Sequence, residues 1–147
     1  MKATTTWILI ADGAHARLFA NRGPGKGIEQ IEVINGDDRP DSELVRDKLG
    51  RTHESVGVSR HAITPRVDPH RELKRAFAQH LGKVLDQGLS KDAYDRLVLV
   101  APPAALGDLR EVLSEPVKHK VYAELDKDLV KVPTKALPEH LGAVMPI

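Results

Sequence analysis

The run Arg96-Leu-Val-Leu-Val-Ala101 constrains the fold more than any other segment of this chain. It is apolar without alternation, follows Asp95 and stops at Pro102-Pro103. A strand that is hydrophobic on both sides must be covered on both faces, which is typical of a parallel strand between layers of helices. The run therefore predicts an α/β fold in which this strand has a parallel neighbour.

The first third of the chain predicts three antiparallel strands. Residues 5–11 and 14–20 flank the turn pair Asp12-Gly13, an arrangement typical of a hairpin. A glycine-rich turn follows at residues 22–27, and residues 28–34 then alternate apolar and polar side chains with the period of a half-buried strand. Together these segments predict an antiparallel meander.

Helical patterns dominate the rest of the chain. Asp68-Pro69 provides an N-cap and a proline at the first helical position, and apolar residues then recur at helical spacing until Gly88. Leucines at 106, 109 and 113 predict a second helix. Ser114-Glu115-Pro116 begins a third helix, which carries Val117, Val121 and Leu125.

Residues 128–132 are predicted as the last strand, 134–141 as a short helix and 142–147 as a tail. The resulting order suits a mixed five-stranded sheet, with an antiparallel meander and parallel strands, flanked by helices.

Composition and length predict one domain covering residues 1–147. A chain of this length buries roughly two-thirds of the surface that it exposes when unfolded. Aromatic residues make up only 3% of it, so aliphatic side chains must fill the core around Trp7, Phe19 and Phe77. The absence of cysteine excludes disulfides, zinc–thiolate sites and cysteine nucleophiles. The apolar run at residues 7–11 is too short for a secretory or membrane-spanning segment, so we expect a cytoplasmic protein without a membrane partner.

The connection at residues 35–67 is unusually long and has no periodic pattern, whereas connections of about four to six residues are usual. Between Arg46 and Arg75, eight lysines and arginines accompany four acidic residues, a local net charge of +4, although the whole chain carries +1. Lysine and arginine side chains bind phosphates. The predicted RNA- or anion-binding residues are Lys48, Arg51, His53, Arg60, His61 and Arg66.

The same segment lacks aromatic residues, which argues against sequence-specific reading of single strands there. Two other interpretations stay open at this point. The segment is either a solvated linker, or its basic half pairs internally with the acidic residues Asp37, Asp38, Asp41 and Glu43.

Several segments, taken together, resemble a known bacterial family. They include Trp7-Ile-Leu-Ile-Ala-Asp-Gly-Ala-His-Ala-Arg-Leu-Phe19, the turn at 21–26, Gly50-Arg51, Glu54-Ser55, residues 60–62, Asp68-Pro-His70, residues 95–101 and 124–129. In this order they span nearly the whole chain and are similar to the family called "protein required for attachment to host cells", a bacterial branch of the archaeo-eukaryotic release-factor and pelota group. The resemblance implies a ribonuclease-H-like fold related to the release-factor middle domain.

Release factors carry a Gly-Gly-Gln tripeptide before a long helix, and its glutamine serves peptidyl-tRNA hydrolysis. Here the corresponding residues 48–55 read Lys-Leu-Gly-Arg-Thr-His-Glu-Ser. The resemblance therefore does not extend to the chemistry of termination.

No set of residues forms a convincing catalytic site. Ribonuclease-H-like nucleases place a metal-binding carboxylate on the first strand, but a turn role for Asp12 is favoured because Glu29, Glu32 and Asp95 do not complete a carboxylate set. The seven histidines include no pair with metal-site spacing on one helix. Gly23-Pro-Gly-Lys-Gly27 lacks the spacing of a phosphate loop, and no Gly-x-Ser-x-Gly elbow occurs. We therefore expect no metal and no cofactor, and favour a non-enzymatic role.

Three functions follow, in decreasing order of support. The first is a non-catalytic binding domain that acts on ribosomes or structured RNA through the basic segment. The alternative is a protein-interaction or regulatory factor whose protein partner links it indirectly to attachment. A metal-dependent nuclease built around Asp12 ranks last. The sequence leaves the oligomeric state open.

Overall fold

The computed structural model describes residues 3–36 and 69–147. Five strands form one sheet: β1 (Thr6–Ala11), β2 (His15–Asn21), β3 (Glu29–Asn35), β4 (Arg96–Val100) and β5 (Val121–Leu125). The helices are α1 (Pro69–Ser90), α2 (Pro103–Val112), α3 (Glu115–Lys120) and α4 (Leu137–Leu141), with a 3-10 helix at Thr134–Ala136 before α4. Apart from its first two positions, the long connection at 35–67 lies outside the described residues. Within the two described ranges, no helix has the length and apolar character needed to cross a membrane.

The sheet has the strand order β3-β2-β1-β4-β5. β2 pairs antiparallel with both β1 and β3, as the hairpin and meander patterns predicted. β4 lies between β1 and β5 and runs parallel to both, and every residue of β4 except Arg96 is buried. The parallel strand predicted at 96–101 is confirmed, and with it the mixed five-stranded, ribonuclease-H-like α/β fold.

One face of the sheet is covered by α1 and α2. The helices contribute Phe77, Leu81 and Leu85 from α1 and Leu106 and Leu109 from α2. They meet alternate strand residues, among them Leu9, Leu18 and Leu99. Side chains two residues apart share a face of a strand, and those three or four residues apart share a face of a helix. The apolar residues at both spacings therefore meet in one core.

The opposite face is covered by the last part of the chain. Here Leu129, Leu137, Leu141 and Met145 pack on the buried apolar residues that β1, β2 and β4 direct to this second face. The predicted tail at 142–147 therefore contributes to the core through Met145. Met145 is buried, and the carbonyl oxygen of Ile147 accepts a hydrogen bond from the backbone N–H of Gly27 at 3.0 Å.

The prediction of a strand at residues 128–132 is wrong. The guanidinium of Arg17 on β2 donates to the carbonyl oxygens of Val130 and Val132 at 3.1 and 2.6 Å, and to Oγ1 of Thr134 at 2.8 Å. A side chain thus satisfies backbone groups that a strand would pair with its neighbour. The segment packs across the sheet without joining it.

The last strand is β5, which the sequence pattern assigned to the third helix. Ser114 does begin α3, and its hydroxyl oxygen accepts from the backbone N–H of Val117 at 3.4 Å, but the helix ends at Lys120. Val121 and Leu125 are four residues apart, a spacing that puts both on one face of a helix and also of a strand. Pairing with β4 selects the strand.

β3 is less buried than its alternating sequence predicted. Ile34 is its one buried residue. The strand lies at the edge of the sheet, and its register against β2 shifts between Leu18 and Phe19. Edge position explains the exposure, because neither helix layer extends over the whole strand.

Candidate functional site

A cleft of about 350 Å³ lies at the carboxyl ends of β1 and β4. Its polar lining side chains are Asp12, His15, Arg71, Lys74 and Asp108, and the other lining residues are glycine, alanine and proline. From β1 the chain continues to β2 on one side, and from β4 it continues to β5 on the other. Open α/β sheets bind ligands at such a point of divergence, because the connections leave a crevice between them.

The turn between β1 and β2 forms one wall of the cleft and is held by the Asp12 carboxylate. Oδ1 of Asp12 accepts hydrogen bonds from the backbone N–H groups of Ala14 at 2.8 Å and His15 at 2.7 Å. Nδ1 of His15 lies 3.4 Å from the same oxygen. This is the geometry of an Asx turn, which agrees with the turn role inferred for Asp12.

Lys74 of α1 runs alongside this turn. A methyl group on Gly13 would come within 2.7 Å of Cγ and 2.9 Å of Cδ of Lys74, so the absence of a side chain at Gly13 makes room for the lysine stem. Lys74 has no ion pair with any residue in the part of the chain that the structure describes. With respect to those residues, its ammonium group is available to a ligand.

Arg71 pairs with Oδ1 of Asp108 on α2, which also lines the cleft. The Asp108 side chain is 8% exposed and that of Arg71 is 34% exposed. A carboxylate at that depth requires a compensating charge. The bond uses Nη2 of a guanidinium that has five N–H donors, so Arg71 also retains donors for a second acceptor.

The first two turns of α1 carry an unfavourable charge distribution for a helix. They contain His70, Arg71, Lys74 and Arg75 against the single acid Glu72. Aligned peptide dipoles already place partial positive charge at this end, so additional cations reduce helix stability. The last turn, where cations would be stabilising, has none. A positive end that costs stability is expected where an anion binds.

The chemistry that this cleft supports is anion binding. Asp12 is engaged with backbone N–H groups and Asp108 with Arg71. Within residues 3–36 and 69–147, no group of three or more metal-ligating side chains comes together. What the cleft offers is the Lys74 charge and the remaining Arg71 donors, which suit a phosphate oxygen.

The six residues predicted to bind RNA, Lys48, Arg51, His53, Arg60, His61 and Arg66, lie outside the described residues. The described residues on either side of this stretch, Gly36 and Pro69, nevertheless lie beside the cleft. The backbone N–H of Gly36 donates to the carbonyl oxygen of Ala14 at 2.6 Å, and α1 begins at Pro69, two residues before Arg71. The chain that joins these ends therefore starts and finishes at the rim of the cleft.

Sequence reasoning did not identify Arg71, Lys74 or Asp108 as site residues. The basic stretch extends to Arg75 and so contains the first two, but only the packing of α1 against the β1–β2 turn shows that they share a cleft. Asp108 carries no such signal, because acidic residues in amphipathic helices are mostly solvated.

Residues 7–141 match the protein family described as "Protein required for attachment to host cells". The chain belongs to this family. The resemblance inferred from the sequence motifs is thereby confirmed. The host attachment chain is also 37% identical, over 62 residues, to an uncharacterised protein of Rickettsia prowazekii (strain Madrid E). That match covers 42% of the chain and 40% of the rickettsial protein, so the chain spans less than half the length of this relative.

Two archaeal structures resemble the host attachment chain in fold. A translation termination factor superposes on 82% of the chain with a TM-score of 0.50 and 12% identity, over 29% of its own length. A second archaeal protein superposes on 97% of the chain with a TM-score of 0.54 and 12% identity, over 35% of its own length. At this identity the likeness concerns the fold, and in both cases the chain spans about a third of the longer protein.

Proposed function

We propose that this chain is a non-catalytic binding domain of the host attachment family that holds phosphate groups of structured RNA, either free or within the ribosome. One observation carries the proposal. The segment between Gly36 and Pro69, which carries the six candidate residues, is attached at both ends to the rim of a cleft that presents Arg71 and Lys74. The predicted binding residues of this segment are therefore joined in sequence to the two cations of the cleft.

Within the cleft, Lys74 supplies the cation that no acid of the described residues pairs with. Asp108 neutralises Arg71, and Asp12 faces backbone N–H groups. A phosphate that enters beside Gly13 would meet the Lys74 ammonium first and free N–H donors of Arg71 second. The six candidate residues of the basic segment would contact neighbouring phosphates of the same RNA.

The fold supports an assignment to translation. One of the structures that share it is titled as a translation termination factor, and RNA is the common substrate of the translation machinery. Peptidyl-tRNA hydrolysis itself is not proposed, because residues 48–55 contain no Gly-Gly-Gln.

Binding to purified ribosomes and to total tRNA tests the proposal, with wild type compared with Arg51→Ala/Arg60→Ala at low and near-physiological salt. We expect saturable binding whose logarithm falls by about 0.7–0.9 per phosphate contact for each log unit of salt. The double variant should bind more weakly and with a smaller salt slope. An affinity that is insensitive to salt would contradict a phosphate-binding role.

A protein-interaction or regulatory role is the second candidate, favoured by the exposed edge of β3. Ile31 and Val33 on this strand are 43% and 52% exposed. An edge strand with exposed apolar side chains can pair with a strand of another chain. Such a factor would influence attachment indirectly, and it predicts a stoichiometric protein partner together with indifference to RNA.

A further inference from the structure

Tyr122 differs from every other aromatic residue of the chain. Trp7, Phe19, Phe77 and Tyr94 are all buried, whereas Tyr122 is 50% exposed. The chain contains one Trp, two Tyr and two Phe, so this comparison includes all of its aromatic side chains. Aromatic residues are scarce in this protein, and one of them is left at the surface.

Tyr122 lies at the end of the sheet opposite the cleft. It is the second residue of β5, and Arg96 is the first residue of the neighbouring parallel strand β4. The cleft adjoins the other end of β4, about 15 Å away at the rise of an extended strand. The two surfaces are therefore separate.

Arg96 is held in a stacked position on the Tyr122 ring. Its Cζ lies 3.9 Å from the ring centroid, and its Nε donates to Oγ1 of the buried Thr6 at 2.8 Å. The hydrogen bond to Thr6 fixes the guanidinium plane, and the guanidinium in turn orients the ring. Two flat, stacked groups thus stand at an open edge of the sheet.

Basic residues precede this pair directly. Lys118, His119 and Lys120 form the last turn of α3, which leads into β5. Cations at the carboxyl end of a helix interact favourably with its dipole, which explains these basic residues. It does not explain the exposed ring beside them.

Three acidic residues of these elements and of the segment before β4 have partners. Glu115 pairs with Lys118 at 3.7 Å, Glu124 with Arg110, and Asp95 accepts from the backbone N–H of Thr5 at 2.7 Å. Among the residues that the structure describes, Lys120 has no ion-pair partner. Lys120, two positions before Tyr122 in the chain, and Arg96 are therefore the cations beside the ring that no described acid pairs with.

We infer that the Tyr122–Arg96 pair is a stacking platform for an unpaired base of single-stranded nucleic acid, with the basic end of α3 contacting the adjacent phosphates. Stacked aromatic and guanidinium planes, combined with cations that follow the backbone, are the features by which proteins hold single strands. The inference goes beyond the proposed function, because it concerns another surface and unpaired bases. It also stands independently of the cleft.

Binding of fluorescently labelled oligouridine, measured by anisotropy, tests this inference. Tyr122→Ala should bind roughly 5- to 100-fold more weakly than wild type, the range that loss of one stacked base produces. Tyr122→Phe keeps the ring and should stay within about two-fold of wild type. Lys74→Gln at the cleft should likewise leave oligouridine affinity within about two-fold, because the distance exceeds the screening length.

An abasic oligomer of the same length provides a test that requires no variant. It keeps the phosphates but offers no base, so wild type should bind it as weakly as Tyr122→Ala binds oligouridine. Equal affinity of wild type for the abasic and uridine oligomers would overturn the inference, as would wild-type affinity in Tyr122→Ala or no binding of oligouridine by wild type. Loss of tRNA binding on substitution of Lys74, with oligouridine binding intact, would separate the two surfaces.

Discussion

Arg71 on α1 and Asp108 on α2 form an ion pair that joins the two helices along one wall of the cleft. The carboxylate is the more deeply buried partner, with 8% of its side chain exposed against 34% for Arg71. The pair therefore has a structural role beside any contact with a ligand. Removal of Arg71 should lower stability mainly because the Asp108 carboxylate stays buried without a partner.

Arg71→Met should lower the free energy of unfolding by about 2–3 kcal/mol, because it leaves the Asp108 charge buried without its partner. Arg71→Met/Asp108→Leu should recover most of that loss, since it removes both charges. Urea denaturation of the wild type, the single variants and the double variant measures the coupling between the two positions. Effects that simply add would show that the pair is not coupled.

Gly88 and Gly107 should respond in opposite directions to substitution by alanine. A methyl group at Gly88 would overlap the six-membered ring of Trp7 and come within 3.2 Å of Cε1 of Tyr94, whereas at Gly107 no atom of the described residues outside the helix's own backbone lies within 4 Å. Both positions are helical, so alanine improves helix propensity by up to about 1 kcal/mol at each. Gly107→Ala should therefore stabilise the protein, and Gly88→Ala should destabilise it by about 2 kcal/mol because of overpacking. The unfolding temperatures of the two variants, compared with wild type, test this expectation. Stabilisation by both substitutions would contradict the packing described for Trp7.

Hydrophobic patterns that fit only one kind of secondary structure were predicted correctly from the sequence. Patterns that fit both a helix and a strand were not. The apolar run of β4 and the hairpin of β1 and β2 each match only one kind of element. Val121 and Leu125 fit a helix and a strand equally well, and only the open edge of β4 decides between them. Residues 128–132 have the composition of a strand, yet Arg17, more than a hundred positions away in sequence, binds their carbonyl groups. Long-range contacts of this kind leave no local pattern.

Tyr94 should make the stability of the protein sensitive to alkaline pH. Its hydroxyl donates to the carbonyl oxygen of Leu85 at 2.8 Å, and burial, with a smaller contribution from the nearby Asp86 carboxylate, raises the pKa of Tyr94 to about 12. In the unfolded chain the phenol ionises near pH ~10. The folded state therefore retains its proton at higher pH, and the stabilisation is complete below pH ~10 and lost progressively between about 10 and 12.

Chemical denaturation of wild type and Tyr94→Phe at neutral and alkaline pH tests this expectation. At neutral pH, Tyr94→Phe should be less stable by about 1 kcal/mol, because the Leu85 carbonyl loses its donor. Wild type should then lose on the order of 2 kcal/mol more than Tyr94→Phe as the pH rises from about 10 to 12. Parallel losses in the two proteins would assign the alkaline transition to other groups.

Asp12 should behave as a turn residue in solution. Asp12→Asn retains an oxygen that can accept from the N–H groups of Ala14 and His15, whereas Asp12→Ala removes it. We expect Asp12→Ala to lower the free energy of unfolding by about 1 kcal/mol and Asp12→Asn to cost less than half of that. Manganese should leave the unfolding temperature of wild type unchanged. A rise in that temperature with Mn²⁺, abolished in Asp12→Asn, would instead support the metal-dependent nuclease hypothesis.

The candidate site was only partly predictable from the sequence. The surplus of basic residues between Arg46 and Arg75 predicted anion binding in that stretch, and α1 carries two of these residues into the cleft. That Gly13 lies beside Lys74, and that Asp108 compensates Arg71, depends on how α1 packs against the turn and α2. Those are tertiary relations between segments far apart in the chain.

The most direct test of the central proposal compares Lys74→Gln with Lys83→Gln in binding to tRNA. Both lysines lie on α1 and are exposed, but they are separated by about half a turn around the helix axis, and only Lys74 lines the cleft. The substitutions change the net charge equally. If the cleft holds phosphate, Lys74→Gln weakens tRNA binding by about three- to ten-fold and reduces the salt slope by about one contact, while Lys83→Gln leaves both close to wild type. Equal effects of the two substitutions, or none from either, would contradict the assignment of the cleft as the RNA-binding site.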